Sequence, residues 1–482
     1  MERRHAFHVV GVVVAATGAA MLVPLVTSLI YREWEHAGWF ALAAFVTAAA
    51  GFGASRAFGR PGELTPREGF AAVGLSWFAM SAFGMLPYLL TGSVGNVTDA
   101  FFETASGFTT TGASVVPDPA VLSHGVLIWR ALTQWMGGMG IIVLSIAILP
   151  LLGVGGVELA RAESPGPMPD RLTPRFRETA KRLWLVYLGL TGVEAALLWA
   201  GDMSLFEAMA HTLTTMSTGG FSTSAGSLGA FSAYAQWVVI FFMILAGASF
   251  ALHFRALRRP VEYLRHAEFR LYMGILAVAS VVMLIGLWGD DLGTIVKDSI
   301  FTTVSIVTTT GYATADFGAW VPALQVLVLG LMFVGGMAGS TGGAVKPYRL
   351  GVLYQASRAD LRRVIHPKGV FLTRFGKESV SDAIVESVQS FFLLYMFLFM
   401  TGTLALAIIS DATGHGTSLV TSVSAVASTL GNFGPGLDSV GPTSNYLLVP
   451  APGKWLLSFL MIAGRLEIFP VILLLTRELW RK

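Results

Sequence analysis

Cysteine is absent from this 482-residue chain, and charged residues make up only 13% of it. Without thiols, the chain can form neither a disulfide nor a thiolate metal site. It also lacks a G-x-x-x-x-G-K-[ST] segment, an H-E-x-x-H pair and a G-x-G-x-x-G segment between a strand and a helix. These absences exclude the common signatures of nucleotide binding and zinc hydrolysis. The histidines are scattered near loops and segment ends, so we expect no enzyme and no cofactor bound by this chain.

Apolar residues dominate what is present, at 54% of the chain. Such a composition is typical of a polytopic membrane protein. A spanning helix needs about 20 apolar residues, and we predict spans over residues 8–30, 37–58, 68–91, 124–151, 183–200, 230–254, 270–288, 319–340, 383–410 and 453–475. The first span follows Arg3 and Arg4, as the apolar core of a signal peptide would. Its apolar run of about 22 residues is long for a signal peptide, and we interpret it as a retained helix.

Lysine and arginine are distributed unevenly between the predicted loops. Of the 32 basic residues, 27 fall in residues 3–4, 52–67, 152–182, 254–270, 345–377 and 477–482. Basic loops remain in the cytoplasm, so both termini are predicted to be cytoplasmic. Two of these segments, residues 161–182 and 346–377, have a second interpretation: they could dock a partner or contact anionic lipid.

The opposite loops are acidic. Their only basic residues are Arg32, Lys297 and Lys454. Their acids are Glu33, Glu35, Asp99, Glu103, Asp118, Asp202, Glu207, Asp290, Asp291, Asp298, Asp316, Asp411 and Asp438. These acids are either ordinary solvated loop residues or the lining of a vestibule that concentrates cations, and the two interpretations are compatible.

A short motif rich in hydroxyl residues and glycine recurs four times. Its copies are Thr110, Thr111, Gly112 and Ala113; Ser217, Thr218, Gly219 and Gly220; Thr309, Thr310, Gly311 and Tyr312; and Thr429, Leu430, Gly431 and Asn432. Each copy follows an apolar stretch too short to span a bilayer, and the predicted half-helices are residues 97–108, 204–216, 294–307 and 416–427. Non-helical backbone at membrane depth must line a wet cavity or protein, so we predict four re-entrant loops that enter from the acidic side.

The four motifs can form one cation site. Glycine at positions 112, 219, 311 and 431 tolerates backbone angles that let carbonyl oxygens face a common axis. A ring of such oxygens replaces the hydration shell of a monovalent cation. The half-helices would point their partially negative C-terminal ends toward the same place. Because the copies differ, most clearly at Leu430, we expect selectivity for large monovalent ions over sodium to be imperfect.

Two further features are predicted on the basic side. The first is a glycine-rich segment, Gly335, Gly336, Gly339, Ser340, Thr341, Gly342 and Gly343, which ends at Lys346. Each glycine costs a helix about 1 kcal/mol relative to alanine, so the segment is either a closely packed helix or a flexible gate below the four loops. The second is Arg465, which costs about 2.5–3.5 kcal/mol at mid-membrane and should face the interior. It is either a strut between helices or a fixed positive charge beside the pathway. Arg130 is expected to snorkel or to tie down loop carbonyls.

Together these residues resemble the TrkH/TrkG/KtrB superfamily of potassium transporters, and within it the TrkH branch. The resemblance covers nearly the whole chain and is carried by Gly107–Gly112, Gln134–Gly140, Ser217–Thr223, Thr308–Tyr312, Gly335–Lys346, Leu430–Gly436 and Gly464–Glu467. The two spans before the first repeat resemble TrkH and are not expected in KtrB. Ala344 departs from the family pattern, which usually has a third consecutive glycine there.

The resemblance implies an all-α polytopic membrane protein with four tandem helix–pore-loop–helix modules around one pseudo-fourfold pore. The implied divisions are two extra N-terminal helices (1–62) and modules over residues 63–160, 161–260, 261–377 and 378–482. It also implies potassium ions at the four motifs, a gating loop at Gly335–Lys346 with Arg465 beside it, and a homodimer in contact with lipid. The implied partner is a cytoplasmic TrkA-like ring that binds NAD(H), ATP or ADP, and no nucleic acid is involved.

The sequence therefore predicts potassium uptake across the bacterial inner membrane through a selective, gated pore. The alternative is a proton- or sodium-coupled potassium symporter of the same fold. Glu194 and Glu467 are the only acids well inside the predicted spans, which is little material for a proton relay. An inverted-repeat transporter is disfavoured, because all four repeats share one orientation.

Overall fold

The computed structural model describes residues 3–59, 65–147, 174–289 and 291–480. Within these ranges the chain is mostly helical. The one sheet in them is an antiparallel hairpin of two short strands, β1 (Arg374–Phe375) and β2 (Glu378–Ser379). The all-α membrane protein expected from composition is therefore confirmed.

A helical hairpin forms the N-terminal part of the described chain. Its first arm consists of α1 (Arg3–Ala20) and α2 (Leu22–Ile30), and its second arm is α3 (Trp34–Phe58). The arms touch through small residues: a Cβ atom added at Gly11 would lie 2.6 Å from the backbone nitrogen of Ser55, and one at Gly18 would lie 2.6 Å from that of Ala48. Such residues let helix backbones approach closely in lipid, where dispersion contacts replace the hydrophobic effect.

Four modules of similar plan follow the hairpin. The first contains α4 (Pro66–Gly84), α5 (Leu86–Leu90), α6 (Val97–Phe108) and α7 (His124–Ala147); the second contains α8 (Pro174–Ala200), α9 (Leu205–Met216), α10 (Ala233–Ala246) and α11 (Phe250–Ala256). The third contains α12 (Val261–Arg265), α13 (Ala267–Gly286), α14 (Leu292–Val307), α15 (Pro322–Leu331) and α16 (Pro347–Ile365); the fourth contains α17 (Asp382–Ala412), α18 (Leu419–Gly431), α19 (Ala451–Arg465), α20 (Phe469–Leu475) and α21 (Arg477–Trp480).

The short helices α6, α9, α14 and α18, here called the pore helices, begin with the same kind of cap. The side chains of Asn96, Ser204, Asp291 and Ser418 each accept a hydrogen bond from the backbone N–H three residues later. Asn, Ser and Asp are favoured at this position because they satisfy a helical N–H that has no partner in the helix. The predicted half-helices are thus confirmed, and the first, at residues 97–108, matches its helix at both ends.

Apart from one-residue breaks at Met21 and Met85, three predicted spans are bent or interrupted. The span over 230–254 bends by 99° between Ala246 and Phe250. The span over 319–340 is helical only at Pro322–Leu331, because its glycine-rich end forms a loop. The span over 453–475 breaks at Glu467 and Ile468, which have φ angles of 57° and 67°. Residues 148–151 of another predicted span lie outside the described residues.

The hairpin is joined to the first module at a helix start. The carboxylate of Glu33 accepts hydrogen bonds from the backbone N–H of His124 at 2.8 Å, from its ring Nδ1 at 2.9 Å and from the N–H of Gly125 at 3.2 Å. These groups begin α7, where free N–H groups and the helix dipole favour a negative charge.

Buried polar side chains accompany an apolar core at the centre of the molecule, and apolar side chains also cover its periphery. The pore helix α6 is buried from Asp99 to Phe108. By contrast, α17 exposes an apolar stripe at helical spacing, formed by Leu393, Phe397, Met400, Leu404 and Ile408. Apolar side chains on the outer surface are expected where the surrounding solvent is lipid.

Candidate ion pathway

All four pore helices end in the same backbone motif. One residue at the end of each helix has a positive φ: Thr110, Thr218, Thr309 and Asn432, at 53°, 54°, 59° and 55°. The next residue donates its N–H to a helical carbonyl five residues earlier, in the pairs Thr111 to Ser106, Gly219 to Thr214, Thr310 to Ser305 and Phe433 to Ser428, at 2.8–2.9 Å. These are the bonds of a Schellman cap. Three of the four caps place threonine where glycine is usual, which stores backbone strain.

The equivalent backbone positions also identify the glycines that match one another. Gly112, Gly220, Gly311 and Gly434 each lie two residues after the strained residue and have φ of 82°, 77°, 82° and 112°. The predictions for Gly112 and Gly311 agree with this, but the predicted equivalence of Gly219 and Gly431 to them is wrong. Gly431 is the last residue of α18, and Gly219 precedes the glycine that adopts positive φ. The helix end, and not the sequence spacing to threonine, sets this alignment.

These glycines join the four loops, residues 109–113, 217–221, 308–312 and 431–435, into a closed ring. A Cβ atom at Gly112 would overlap the carbonyl oxygen of Gly219, one at Gly220 that of Thr310, one at Gly311 that of Phe433, and one at Gly434 would lie 2.6 Å from that of Thr111. Each contact runs from one loop to the next, and the fourth returns to the first. Glycine is required because any side chain here would displace a neighbouring carbonyl.

A cavity of about 150 Å³ opens where the four loops end. Its lining includes Gly112, Gly220, Gly311 and Pro435, so every loop contributes. Arg130 and Tyr446 also line it. The cavity therefore leads directly to the ring of loop backbones.

A buried ion pair holds the first two loops together. Arg130 on α7 and Glu103 on α6 approach to 2.9 Å and are 2% and 0% exposed. Glu103 also accepts the N–H of Val115 at 2.9 Å, and Arg130 donates to the carbonyl oxygen of Ser222 at 3.3 Å. Arg130 thus ties down a loop carbonyl, as the sequence suggested. The expectation that Glu103 and Asp99 are exposed vestibule acids is wrong, since Asp99 pairs with buried Lys454 at 2.5 Å.

The remaining loop junctions use uncharged groups. The hydroxyl of Tyr312, from the third loop, donates to the carbonyl oxygen of His211 on α9 at 3.1 Å and contacts the hydroxyl of Thr214. The amide of Asn432, from the fourth loop, donates to the hydroxyl of Thr111 at 3.0 Å. These three interfaces between loops are consequently braced by different chemistry.

The threonine hydroxyls divide the loops into two kinds. Thr109 and Thr111 are hydrogen-bonded at 2.7 Å, and Thr308 and Thr310 repeat this pair at 2.7 Å in the third loop. The second and fourth loops have Gly219 and Phe433 at the later position and cannot form the pair. The first and third loops therefore share this hydroxyl pair, and the second and fourth loops both lack it.

The glycine-rich segment, residues 335–346, crosses the starts of the loops. Its ends are joined by a bridge between Val334 and Val345. The N–H of Gly343 donates to the hydroxyl of Thr309 at 2.7 Å, and the hydroxyl of Thr341 donates to the carbonyl oxygen of Met216 at 3.1 Å. The segment therefore contacts the second and third loops on the side away from the cavity.

Bonds from three sides hold this segment. At the bend between α10 and α11, the carbonyl of Gly247 accepts the N–H of Met337 at 2.8 Å. The carboxylate of Glu268 accepts the N–H of Ala338 at 2.9 Å and that of Tyr348 at 3.2 Å. The side chain of Lys346 donates to the carbonyl oxygen of Gly342. These hydrogen bonds hold in one conformation a segment that contains too much glycine to form a helix.

Arg465 ends α19 beside the segment and is 2% exposed. Its guanidinium donates to the carbonyl oxygen of Thr341 at 2.6 Å and to that of Gly137 at 3.4 Å. None of the ion pairs within the described ranges includes Arg465. Glu467, two residues later, pairs with Arg349 of α16. Both predicted interpretations of Arg465 fit this contact set: it bridges helices, and it carries a positive charge with no acidic neighbour in those ranges.

Most of the predicted motif residues come together around the ring, with three exceptions. Thr429 and Leu430 are helical residues of α18, and the Tyr312 side chain points away from the ring into α9. The prediction missed Phe433 and Gly434 as ring residues, and it missed Gln134, whose amide donates to the carbonyl oxygen of Gly219 at 2.7 Å. A sequence signal for the fourth loop was available, since Asn432 tolerates positive φ better than most residues.

Comparison with known proteins agrees with this architecture. The TrkH family model, described as "Cation transport protein", matches residues 39–277 and 290–481. The chain is 38% identical to the Trk system potassium uptake protein TrkH of Salmonella typhimurium and 37% identical to that of Escherichia coli K12, over 100% of each chain. It is 34% identical to the E. coli K12 protein TrkG, over 98% of each.

A solved structure has the same fold. The crystal structure of the potassium transporter TrkH from Vibrio parahaemolyticus matches with a TM-score of 0.91 and 36% identity, over 100% of both chains. The family match covers most of this chain, and full-length relatives exceed 30% identity. The chain therefore belongs to the TrkH family of cation transport proteins.

Proposed function

We propose that this chain takes up potassium across the bacterial inner membrane through the ring of four loops. The closed circuit of contacts between each positive-φ glycine and the neighbouring loop's carbonyl carries the proposal. Such a ring offers backbone oxygens at fixed spacing to an ion that has lost its water. The relatives named above as potassium uptake proteins support the choice of ion.

The proposed potassium-binding residues are those whose backbone or hydroxyl oxygens belong to the ring: residues 109–112, 217–220, 308–311 and 431–434. The two kinds of loop give an ion unequal oxygens on its four sides. We therefore expect potassium and rubidium to be preferred over sodium by a smaller margin than in a ring of four identical loops.

The glycine-rich segment and Arg465 are proposed to close the pathway on its cytoplasmic side. The segment spans the starts of two loops, and the guanidinium charge repels a cation that leaves the ring. Opening then requires the hydrogen bond from Arg465 to Thr341 to break. The helix α16 begins at the end of the segment and is a direct lever for this movement.

The remaining predictions from the sequence stay proposals. They are the cytoplasmic termini, the homodimer, the module divisions and a cytoplasmic nucleotide-binding partner of the TrkA kind. The exposed basic residues after the segment support a docking role, among them Arg358, Arg362, Arg363 and Lys368. These residues lie on or directly after α16, so a bound partner would act on the segment through one helix.

Ion uptake into vesicles that contain the purified chain tests the proposal. We expect rubidium and potassium to enter faster than sodium, without a requirement for a proton or sodium gradient. Uptake that occurs only with such a gradient would instead favour the symporter, and equal entry of all three ions would overturn the ring as the selective element. If the wild type takes up no ions, vesicles with the Arg465→Ala variant show whether a closed gate is the reason.

A further inference from the structure

Each pore helix carries a hydroxyl residue at the same place, four residues before the positive-φ residue that ends the helix. These residues are Ser106, Thr214, Ser305 and Ser428. Their backbone carbonyls accept the N–H bonds of the four caps, so the four positions are structurally equivalent. All four residues are buried. A comparison of their side-chain partners therefore shows which loops are held by a hydroxyl group of their own pore helix.

Ser428 holds the ring glycine of the fourth loop at both of its backbone polar groups. Its hydroxyl donates to the carbonyl oxygen of Gly434 at 2.6 Å and accepts the N–H of the same residue at 2.9 Å. The hydroxyl of Tyr446 donates to the same carbonyl oxygen at 2.8 Å. A carbonyl oxygen has two lone pairs, so the two hydroxyl groups together satisfy it. The Gly434 backbone is consequently fixed by two side chains.

Ser305 makes a similar contact in the third loop. Its hydroxyl donates to the backbone carbonyl oxygen of Tyr312 at 2.7 Å, and Tyr312 directly follows the ring glycine Gly311. A hydroxyl residue inside a helix often donates to the carbonyl four residues earlier, as Thr308 does to Val304 at 2.7 Å. Ser305 instead donates to a residue seven positions later, beyond the end of α14. The hydroxyl therefore connects the pore helix to its own loop.

The equivalent hydroxyls of the first two pore helices do not hold their own loops. The hydroxyl of Ser106 has no hydrogen-bond partner among the described residues. That of Thr214 contacts the hydroxyl of Tyr312, which belongs to the third loop. The second loop is held from another helix, since the side-chain oxygen of Gln134 on α7 accepts the N–H of Phe221 at 3.1 Å. Contacts of this kind with the pore helix's own hydroxyl are thus found at the third and fourth loops.

We propose that Ser305 and Ser428 are positioning residues for ion selectivity, because their hydroxyl groups fix the backbone of the third and fourth loops. This deepens the proposed potassium pathway and rests on it. One way for a ring of oxygens to prefer the larger ion is to keep its oxygens apart when a smaller ion enters. A buried hydrogen bond from the pore helix to the loop backbone resists such a shift, and it is strong because no water competes for it.

The test compares rubidium and sodium uptake by vesicles that contain the full-length wild type, Ser305→Ala or Ser428→Ala. Ser305→Ala removes one hydrogen bond and should lower the ratio of rubidium to sodium uptake by about fivefold, which corresponds to about 1 kcal/mol. Ser428→Ala removes two bonds and should lower the ratio by about tenfold or more. A ratio of two ions measured on the same vesicles does not change when less protein is inserted, so a general loss of stability would not imitate this result.

Ser106→Ala is the matched control. It removes the same buried atom from the equivalent position of the first pore helix, where the hydroxyl has no partner in the described chain, and it should keep the ratio within about twofold of the wild type. Ser305→Thr should also stay within about twofold, because it keeps the hydroxyl and the second pore helix has Thr214 at this position. If Ser428→Ala does not accumulate in membranes, Ser305→Ala and Ser305→Thr decide the outcome.

The possible failures are distinct. A wild-type protein that does not select rubidium over sodium would overturn the proposed function itself. A selective wild type with unchanged ratios in Ser305→Ala and Ser428→Ala would overturn only the positioning role. An equal fall in Ser106→Ala would also overturn that role, because any lost hydroxyl of a pore helix would then have the same effect. The same conclusion follows if Ser305→Thr loses as much selectivity as Ser305→Ala.

Discussion

The guanidinium of Arg465 donates a hydrogen bond of 2.6 Å to the carbonyl oxygen of Thr341. This bond joins α19 of the fourth module to the glycine-rich segment of the third. It occurs where the segment also bonds to the starts of two loops. The arginine is therefore both a mechanical contact of the proposed gate and a positive charge beside it.

Replacing Arg465 separates these two contributions. Arg465→Ala removes both and should increase potassium uptake several-fold. Arg465→Gln keeps a donor for Thr341 without the charge, and Arg465→Lys keeps the charge without the planar fork. If charge limits flux, Gln should resemble Ala; if the bond limits flux, Gln should resemble the wild type. Uptake that is unchanged in all three variants would remove Arg465 from the gate.

The ring glycines should not tolerate alanine. In Gly311→Ala the new Cβ would overlap the carbonyl oxygen of Phe433, and overpacking of this kind costs about 1–3 kcal/mol. We expect potassium uptake or its selectivity over sodium to fall by about tenfold. Gly414 provides the matched control, because it has φ of +72° but nothing within 4 Å of its would-be Cβ. A Gly414→Ala variant that loses as much function would mean that backbone strain, and not the ring contact, explains the result.

The buried pair of Glu103 and Arg130 should be costly to break on one side only. Arg130→Met leaves an unpaired carboxylate beside the first loop and should destabilise the protein by about 3–5 kcal/mol. The double change Glu103→Leu/Arg130→Met should recover part of that loss. The exposed pair of Arg363 and Asp360, at 48% and 58% exposure, is the control, and its loss should cost about 0–1 kcal/mol. Thermal unfolding in detergent measures all four proteins, and equal effects at the two sites would contradict the argument.

Stability should depend on pH through Glu33. Burial alone would raise the pKa of Glu33, but the hydrogen bonds it accepts from His124 and Gly125 outweigh burial and hold the pKa below 4.5. A lowered folded-state pKa gives stability that is present above the unfolded value and is lost as the pH falls through the folded value. Glu33→Gln should therefore lower the free energy of unfolding at pH 7 by about 0.3–2 kcal/mol, measured as a lower unfolding temperature, and make little difference near pH 3.

The exposed neighbour Glu35 serves as the control for this comparison. Glu35→Gln should not change the unfolding temperature measurably at either pH. A Glu33→Gln variant whose deficit is the same at pH 7 and pH 3 would show that the amide disturbs packing, and that the charge of Glu33 does not contribute.

The sequence was sufficient to predict the pore helices, because their caps and lengths are local properties. Asn96, Ser204 and Ser418 each precede a short apolar run, and such caps are readable without tertiary information. The loops were found because they repeat. What periodicity could not supply was the alignment of Gly219 and Gly431, since the adjacent glycines at 219 and 220 offer two choices and the fourth loop has Asn432 in place of threonine.

Contacts between distant residues account for the other errors. Composition suggested a single helix over 230–254, but the carbonyl of Gly247 accepts the N–H of Met337, almost a hundred residues away along the chain. The sequence places Glu103 among the loop acids, which are either solvated or line a vestibule. It gives no sign of the partner, because Arg130 lies on another helix. Local sequence patterns do not show which distant residue a group contacts. The bend at Gly247 and the ion pair of Glu103 and Arg130 therefore could not be predicted from residue spacing.

The bend between α10 and α11 has a consequence for how such a pore can be controlled. The second module has a bent span in place of a straight one, and the carbonyl of Gly247 at the bend accepts the N–H of Met337 in the glycine-rich segment of the third module. An assembly of four identical polypeptides could not make this exchange, because whatever interrupts one copy interrupts all of them. A single polypeptide lets its modules take different roles: the third supplies the proposed gate, the second holds it through Gly247, and the fourth contacts it through Arg465.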